Sequence, residues 1–177
     1  FLDAQLPGTS ERVQAQQWLY EPGMPAHAPV FTSEKLVELT ALAQAWTAGQ
    51  RPTAAQLQQW GPREVLVFLQ HLPRQLDHAA LAWLDAQLHL TNRGNYEILV
   101  EWLTIAVGSD YEPVFGRTRE VLTQVGRMKF LRPLFTALGK HARTRQLGRD
   151  IYEAAQETYH SLSRRVVEAT MAQWAST

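Results

Sequence analysis

The sequence predicts an all-α fold. Apolar residues recur at spacings of three and four in segment after segment, and no run of alternating β-branched residues reads as a strand. Capping residues, glycines and prolines interrupt that periodicity at helix-length intervals. With 177 residues, 45% of them apolar, the chain is long enough for one well-cored domain plus short extensions.

Residues 9–19 predict a short helix with Thr9 or Ser10 as N-cap. The stretch YEPGMPAHAPVF (20–31) then loses regularity through Pro22, Gly23, Pro25 and Pro29, which remove donors and fix φ. It reads as an extended linker, and the domain boundary falls there. Ser33 can cap a helix reaching about Ala48, with Leu36, Leu39, Ala43 and Trp46 as its apolar stripe and Gly49 as its stop. Thr53 can cap a short helix through Trp60. Pro62 suits the first turn of the next helix, which carries Val65, Phe68, Leu69 and Leu72 and ends at Pro73.

Asp77 can cap a helix bearing Leu81, Leu84 and Leu88. Residues 94–107 are apolar on nearly every face, which predicts a central, buried helix. Asp110 is expected to cap another helix, with Pro113 in its first turn. Gly126 separates that helix from one over about 127–140, which Pro133 should kink or divide. A final long helix is expected over about 144–174, with Ile151, Ala155, Tyr159, Leu162 and Val166 as its stripe. Short loops make neighbouring helices antiparallel, in either a bundle or a solenoid; no clean repeat chooses between them.

Several function classes are disfavoured. Net charge is zero, so no global field draws the chain to nucleic acid or anionic membrane. No apolar run approaches the roughly 20 residues a membrane span needs. Cysteine is absent, which removes disulfides and thiolate-ligated metals and fits a reducing compartment. The opening Phe1-Leu2-Asp3 lacks a secretory signal, and a start on Phe is the expectation for a piece of a longer protein.

Self-contained catalysis has no visible basis. A zinc hydrolase of the thermolysin type needs two histidines four apart on one helix face with a glutamate between them. His27, His71, His78, His89, His141 and His160 show no such pairing. They read as scattered surface or half-buried side chains. Neither a nucleophile elbow nor a phosphate loop is present. The compositional anomaly is residues 117–149, where nine basic side chains meet a single acid, Glu120. Arg127 and Lys129 could hold an anionic group, since a guanidinium grips a carboxylate with two parallel hydrogen bonds and an ammonium adds charge. The bland alternative is a solvated face or internal ion pairs. Aromatics do not interleave with these basics at a stacking rhythm, so nucleic acid ranks low.

Three segments carry a resemblance. VGRMKFLRPLF (125–135) resembles the GRMKF-x-RPL signature of the C-terminal domain of the leukotriene A4 hydrolase and aminopeptidase B family of zinc aminopeptidases. WLYEPGMP (18–25) is similar to that family's junction between catalytic and C-terminal domains. LHLTNRGNYEILVEWLTIAV (88–107) resembles its helix after an Asn-x-Glu-Ile turn, here Asn95 to Ile98. An arginyl aminopeptidase-like member is nearest in kind.

The resemblance implies a right-handed superhelix of antiparallel helix pairs, like armadillo or HEAT repeats. Residues 1–19 would close the preceding catalytic domain, 20–32 would be the linker, and 33–177 the C-terminal helical domain. The implied function is a non-catalytic domain that walls the substrate cleft, with Arg127 and Lys129 recognising a substrate carboxylate. Leu131 stands where the hydrolase has Thr. No cofactor is expected in these residues; zinc would sit in the parent's catalytic domain. Expected partners are that catalytic domain on the same polypeptide and a short peptide substrate, with cytoplasmic residence. Residues two apart on an ideal helix point about 200° apart, so the pair can share an anion only at an irregular helix start. The competing reading is a helical-repeat protein–protein interaction module with no enzymatic parent, for which Trp18, Trp60 or Trp174 could serve as anchors. The roles of Arg143, Arg145 and Arg149 stay open.

Overall fold

Local capping chemistry sets several of the helix starts. In the computed structural model, which describes residues 1–30 and 32–176, every regular element among the described residues is helical. Phe31 of the expected linker and Thr177 lie outside the described residues.

The chain separates into two compact units, Phe1–Glu34 and Lys35–Thr177. The first holds α1 (Leu2–Gln5), α2 (Thr9–Arg12) and α3 (Ala15–Tyr20). The single helix expected over 9–19 is therefore two, because Gln14 takes a left-handed φ of 52° and breaks the ladder. Gly8, not Thr9 or Ser10, occupies the N-cap position of α2. Trp18 Nε1 donates to His27 Nε2 at 3.0 Å, folding the chain after α3 back on that helix.

The second unit begins with α4 (Glu34–Ala45), continued by a 3-10 turn over Trp46–Ala48 that Gly49 ends at φ 81°. Leu39, Ala43 and Trp46 are buried as expected, but Leu36 is 46% exposed. Thr53 and Gln56 form a reciprocal capping box on α5 (Ala54–Gln58). Pro62 opens α6 (Pro62–His71), and the Asp77 carboxylate accepts from Ala80 N at the start of α7 (His78–Leu88). Asn95 caps α8 (Tyr96–Gly108) by accepting from Glu97 N. Nine residues of α8 are buried, Trp102 completely, and the Trp102 indole N–H is satisfied by Thr91 Oγ1 at 3.0 Å.

Asp110 does not cap a helix. It adopts φ 56°, and Tyr111 precedes a 3-10 turn, Glu112–Val114, that leads into α9 (Phe115–Gln124). Next come α10 (Met128–Leu138), with Pro133 inside it, and α11 (Ala142–Ala155). The expected single helix over 144–174 is divided. Tyr159 is extended, its hydroxyl donates to Leu122 O at 2.6 Å, and the His160 ring accepts from Leu162 N to start α12 (Ser161–Ala172). The break resets the helical phase. Val167 is buried in α12, whereas Leu162 of the expected stripe is 59% exposed.

Packing follows a rule of two. The helices α6, α8, α10 and α12 lie side by side in one row, while α5 packs on α7 and α9 on α11. Within the first row α8 and α10 run parallel, since Glu97 meets Lys129 at one end and Gly108 meets Ala137 and Lys140 at the other. Two layers of helices, each helix stacked on the one two places along, form a superhelical stack. Its last turn is locked by Trp174, 7% exposed and stacked on Phe135 at 6.3 Å. Gly139 and Gly148 permit this: a Cβ added at either would come within 2.4 Å or 2.6 Å of the indole. Trp174 is thus core rather than an anchor, and Trp60 is half-buried against Phe68; only Trp18 of the three candidates is exposed.

Candidate functional site

The first turn of α10 is the irregular start that a shared anion requires. After α9, Val125 is extended, and Arg127 takes the N-cap position with φ −75° and ψ 119°. The Arg127 carbonyl accepts from Phe130 N and Leu131 N, but its side chain makes no capping bond. That turn therefore carries the positive end of the helix dipole without a side-chain acceptor on it. Gly126 needs no left-handed φ here; the extended conformation of Arg127 itself supplies the irregularity.

Arg127 and Lys129 converge on one ring. Arg127 Cζ lies 5.6 Å, and Lys129 Nζ 5.8 Å, from the centroid of Phe130. Phe130 is buried and tilted against Tyr96 of α8 at 6.3 Å. Each cation lies within reach of the Phe130 ring, where cation–π attraction favours it. Arg127 at the extended N-cap lies off the regular helical phase that would point it about 200° away from Lys129.

The two cations differ in occupancy. Lys129 Nζ sits 2.6 Å from Glu97 Oε1, a pair with side chains 55% and 41% exposed. Arg127 is exposed and has no carboxylate partner among the described residues. Glu97 is the site residue that sequence reasoning missed. The Asn95–Ile98 turn had been singled out, but nothing in it reveals that α8 and α10 lie parallel with these residues abreast. An exposed ion pair contributes about 0–1 kcal/mol, so an incoming carboxylate can compete with Glu97 for the ammonium.

Three other basic side chains of the segment are clamped. Arg143 Nε donates to Asp110 Oδ1 at 3.1 Å, one terminal nitrogen to Glu112 Oε2 at 2.6 Å and the other to Asp110 O at 3.0 Å. Those bonds, led by the one to Asp110, push the guanidinium pKa up. Arg145 donates to the carbonyls of Gly139 and Trp174, tying α11 to the C-terminal turn. Arg117 pairs with Glu120. Arg149 is exposed, with no ion pair or side-chain hydrogen bond among the described residues. Two of the histidines tie to backbone carbonyls: His78 meets Ser109 O and His141 meets Gly108 O, each at 3.1 Å. Among the described residues no group of three or more histidine, aspartate or glutamate side chains could hold a metal ion.

A family model described as "Leukotriene A4 hydrolase, C-terminal" matches residues 60–171. The chain belongs to the leukotriene A4 hydrolase C-terminal family. That match contains both the α10 start and the Arg143 corner. A leukotriene A-4 hydrolase homolog of Botryotinia fuckeliana is 30% identical over 164 residues, covering 89% of this chain and 25% of its own length. A leucine aminopeptidase 2 of Sclerotinia sclerotiorum is also 30% identical over 164 residues, covering 89% of this chain and 26% of its own. The chain thus spans about a quarter of the curated relatives it matches. The native leukotriene A4 hydrolase of Saccharomyces cerevisiae shares the fold with a TM-score of 0.73 at 22% identity, over 97% of this chain and 31% of that one. The yeast hydrolase in complex with bestatin superposes with a TM-score of 0.70, also at 22% identity, over 96% of this chain and 31% of that one.

Proposed function

We propose that this C-terminal domain walls the substrate cleft of a zinc aminopeptidase and offers Arg127, assisted by Lys129, to the carboxylate of a short peptide. The observation that carries the reading is the exposed Arg127 guanidinium. It has no carboxylate partner among the described residues and is held over Phe130 at an uncapped helix start. A carboxylate there meets a fork of two donors, a neighbouring ammonium and the positive end of α10. Zinc and the bond chemistry belong, on this reading, to a catalytic domain on the same polypeptide. Residues 1–19 would end that domain and 20–32 would be the linker. Leu19, Tyr20 and Met24, each more than 70% exposed, support this, because large apolar side chains left uncovered in a row await a packing partner. No helix of the described residues is long and apolar enough to cross a membrane, and cytoplasmic residence is part of the proposal.

The domain's contribution would be positioning: holding the C-terminal end of a peptide in register with a distant scissile bond. Replacing Arg127 by Ala in the full-length protein tests it. Turnover of di- and tripeptides should fall while turnover of an aminoacyl amide, which has no carboxylate, should hold. Equal kinetics on both substrate types would leave a structural wall or an interaction module with no part in specificity.

A further inference from the structure

An open groove runs along the parallel helices α8 and α10, and Arg127 is not among its lining residues. It encloses about 560 Å³, within the range of small-molecule and peptide sites. On this face α8 presents two acids, Glu97 and Glu101, and each is taken: Glu97 by Lys129 and Glu101 by Arg74. Arg132 and Lys140 also line or border the groove and have no acid partner among the described residues. The groove therefore carries two surplus positive charges, one towards each end.

The material between those charges is neutral. Pro133 and Ala137 form an apolar floor. Thr104 and Thr136 donate their hydroxyl hydrogens back to Val100 O and Arg132 O, at 2.7 Å and 2.9 Å, so their oxygens remain acceptors towards the groove. Arg132 lies on α10 and Lys140 two residues past its end, in a turn that continues the helical course, so their backbones stand about 12 Å apart. In an extended peptide, side chains four residues apart project to the same side about 13 Å apart. We infer that the α8–α10 groove binds an acidic peptide segment, with carboxylates at positions i and i+4 meeting Arg132 and Lys140 and small apolar side chains between them on Pro133 and Ala137. Backbone N–H groups of such a segment find acceptors in the two threonine hydroxyls. A compact anion such as phosphate would reach only one of the two cations. This site does not depend on the aminopeptidase reading, because Arg127 is no part of it.

The test is fluorescence anisotropy on the purified protein with a labelled, N-acetylated and C-amidated Glu-Leu-Ala-Leu-Glu peptide, whose only carboxylates are the two side chains. Saturable binding is expected, with the Gln-Leu-Ala-Leu-Gln analogue failing to bind. R132Q and K140Q should each weaken binding about two- to fivefold, the worth of one exposed ion pair, and the double variant about tenfold or more. R149Q should leave it unchanged, which separates this site from general basicity. Circular dichroism checks that each variant is folded, and Thr136→Trp, which fills the groove without altering charge, should abolish binding independently. Absence of saturable binding, equal affinity for the glutamine peptide, indifference to the double variant or Thr136→Trp, or displacement by equimolar inorganic phosphate would each overturn the assignment.

Discussion

Arg127 and Arg143 come from the same basic run, and the fold treats them in opposite ways. Arg143 is bracketed by two carboxylates and a carbonyl from the turn between α8 and α9, and it also lies 5.2 Å from the Phe115 ring. Arg127 has a ring beneath it and no acid beside it. One guanidinium fastens a corner; the other is held in place with its donors unspent. Counting charges along the chain cannot tell these apart. What separates them is whether an acid distant in sequence is brought abreast of the guanidinium.

The contrast predicts that changes on the Arg127 side alter kinetics and changes on the α11 side alter stability. The largest effect should come from Arg127→Ala in the full-length protein: about a hundredfold loss in kcat/KM on small peptides, the scale of a substrate held out of register, with an unchanged melting temperature. A coupled loss of stability would erase the distinction. On the packed side, Gly148→Ala drives a methyl into the Trp174 ring at 2.6 Å. It should cost about 1–3 kcal/mol of stability, read from the denaturant midpoint, with peptide KM unaffected. Arg143→Ala should lower the melting temperature by less than Gly148→Ala does, because its side chain is 48% exposed and water screens the lost pairs. That deficit should shrink at high salt; a deficit insensitive to salt would mean the guanidinium acts by packing on Phe115. The smallest effect is expected for Glu97→Gln. Freeing the Lys129 ammonium should lower KM for carboxylate-bearing peptides about two- to fivefold, and a rise in KM would mean that Glu97 orients Lys129 rather than competing for it.

Much of the helical order was readable because its determinants are local. The Thr53 capping box, Pro62 in a first turn, the Asp77 and Asn95 caps and the Gly49 stop act within a few residues. The nearly uniform apolarity of 96–108 placed α8 at the centre. The failures share a cause. Asp110 suits a cap by its type and position, yet it serves a guanidinium 33 residues away. The helix expected over 144–174 breaks at Tyr159, whose hydroxyl is claimed by Leu122 O, 37 residues away. Trp174 is buried because two glycines on α10's end and α11 leave it a slot.

The sequence alone determined that this chain is helical, where most helices begin and which one lies at the core, since caps, breakers and 3.6-residue periodicity act over a turn or two. It also marked Arg127 and Lys129 as a pair worth attention. Only the tertiary structure decided which basic side chains are neutralised, that Glu97 shares the site, and that a cationic groove runs between α8 and α10. Those outcomes depend on side chains more than thirty residues apart being brought abreast by parallel helices two places apart in the stack, and no local rule encodes that register.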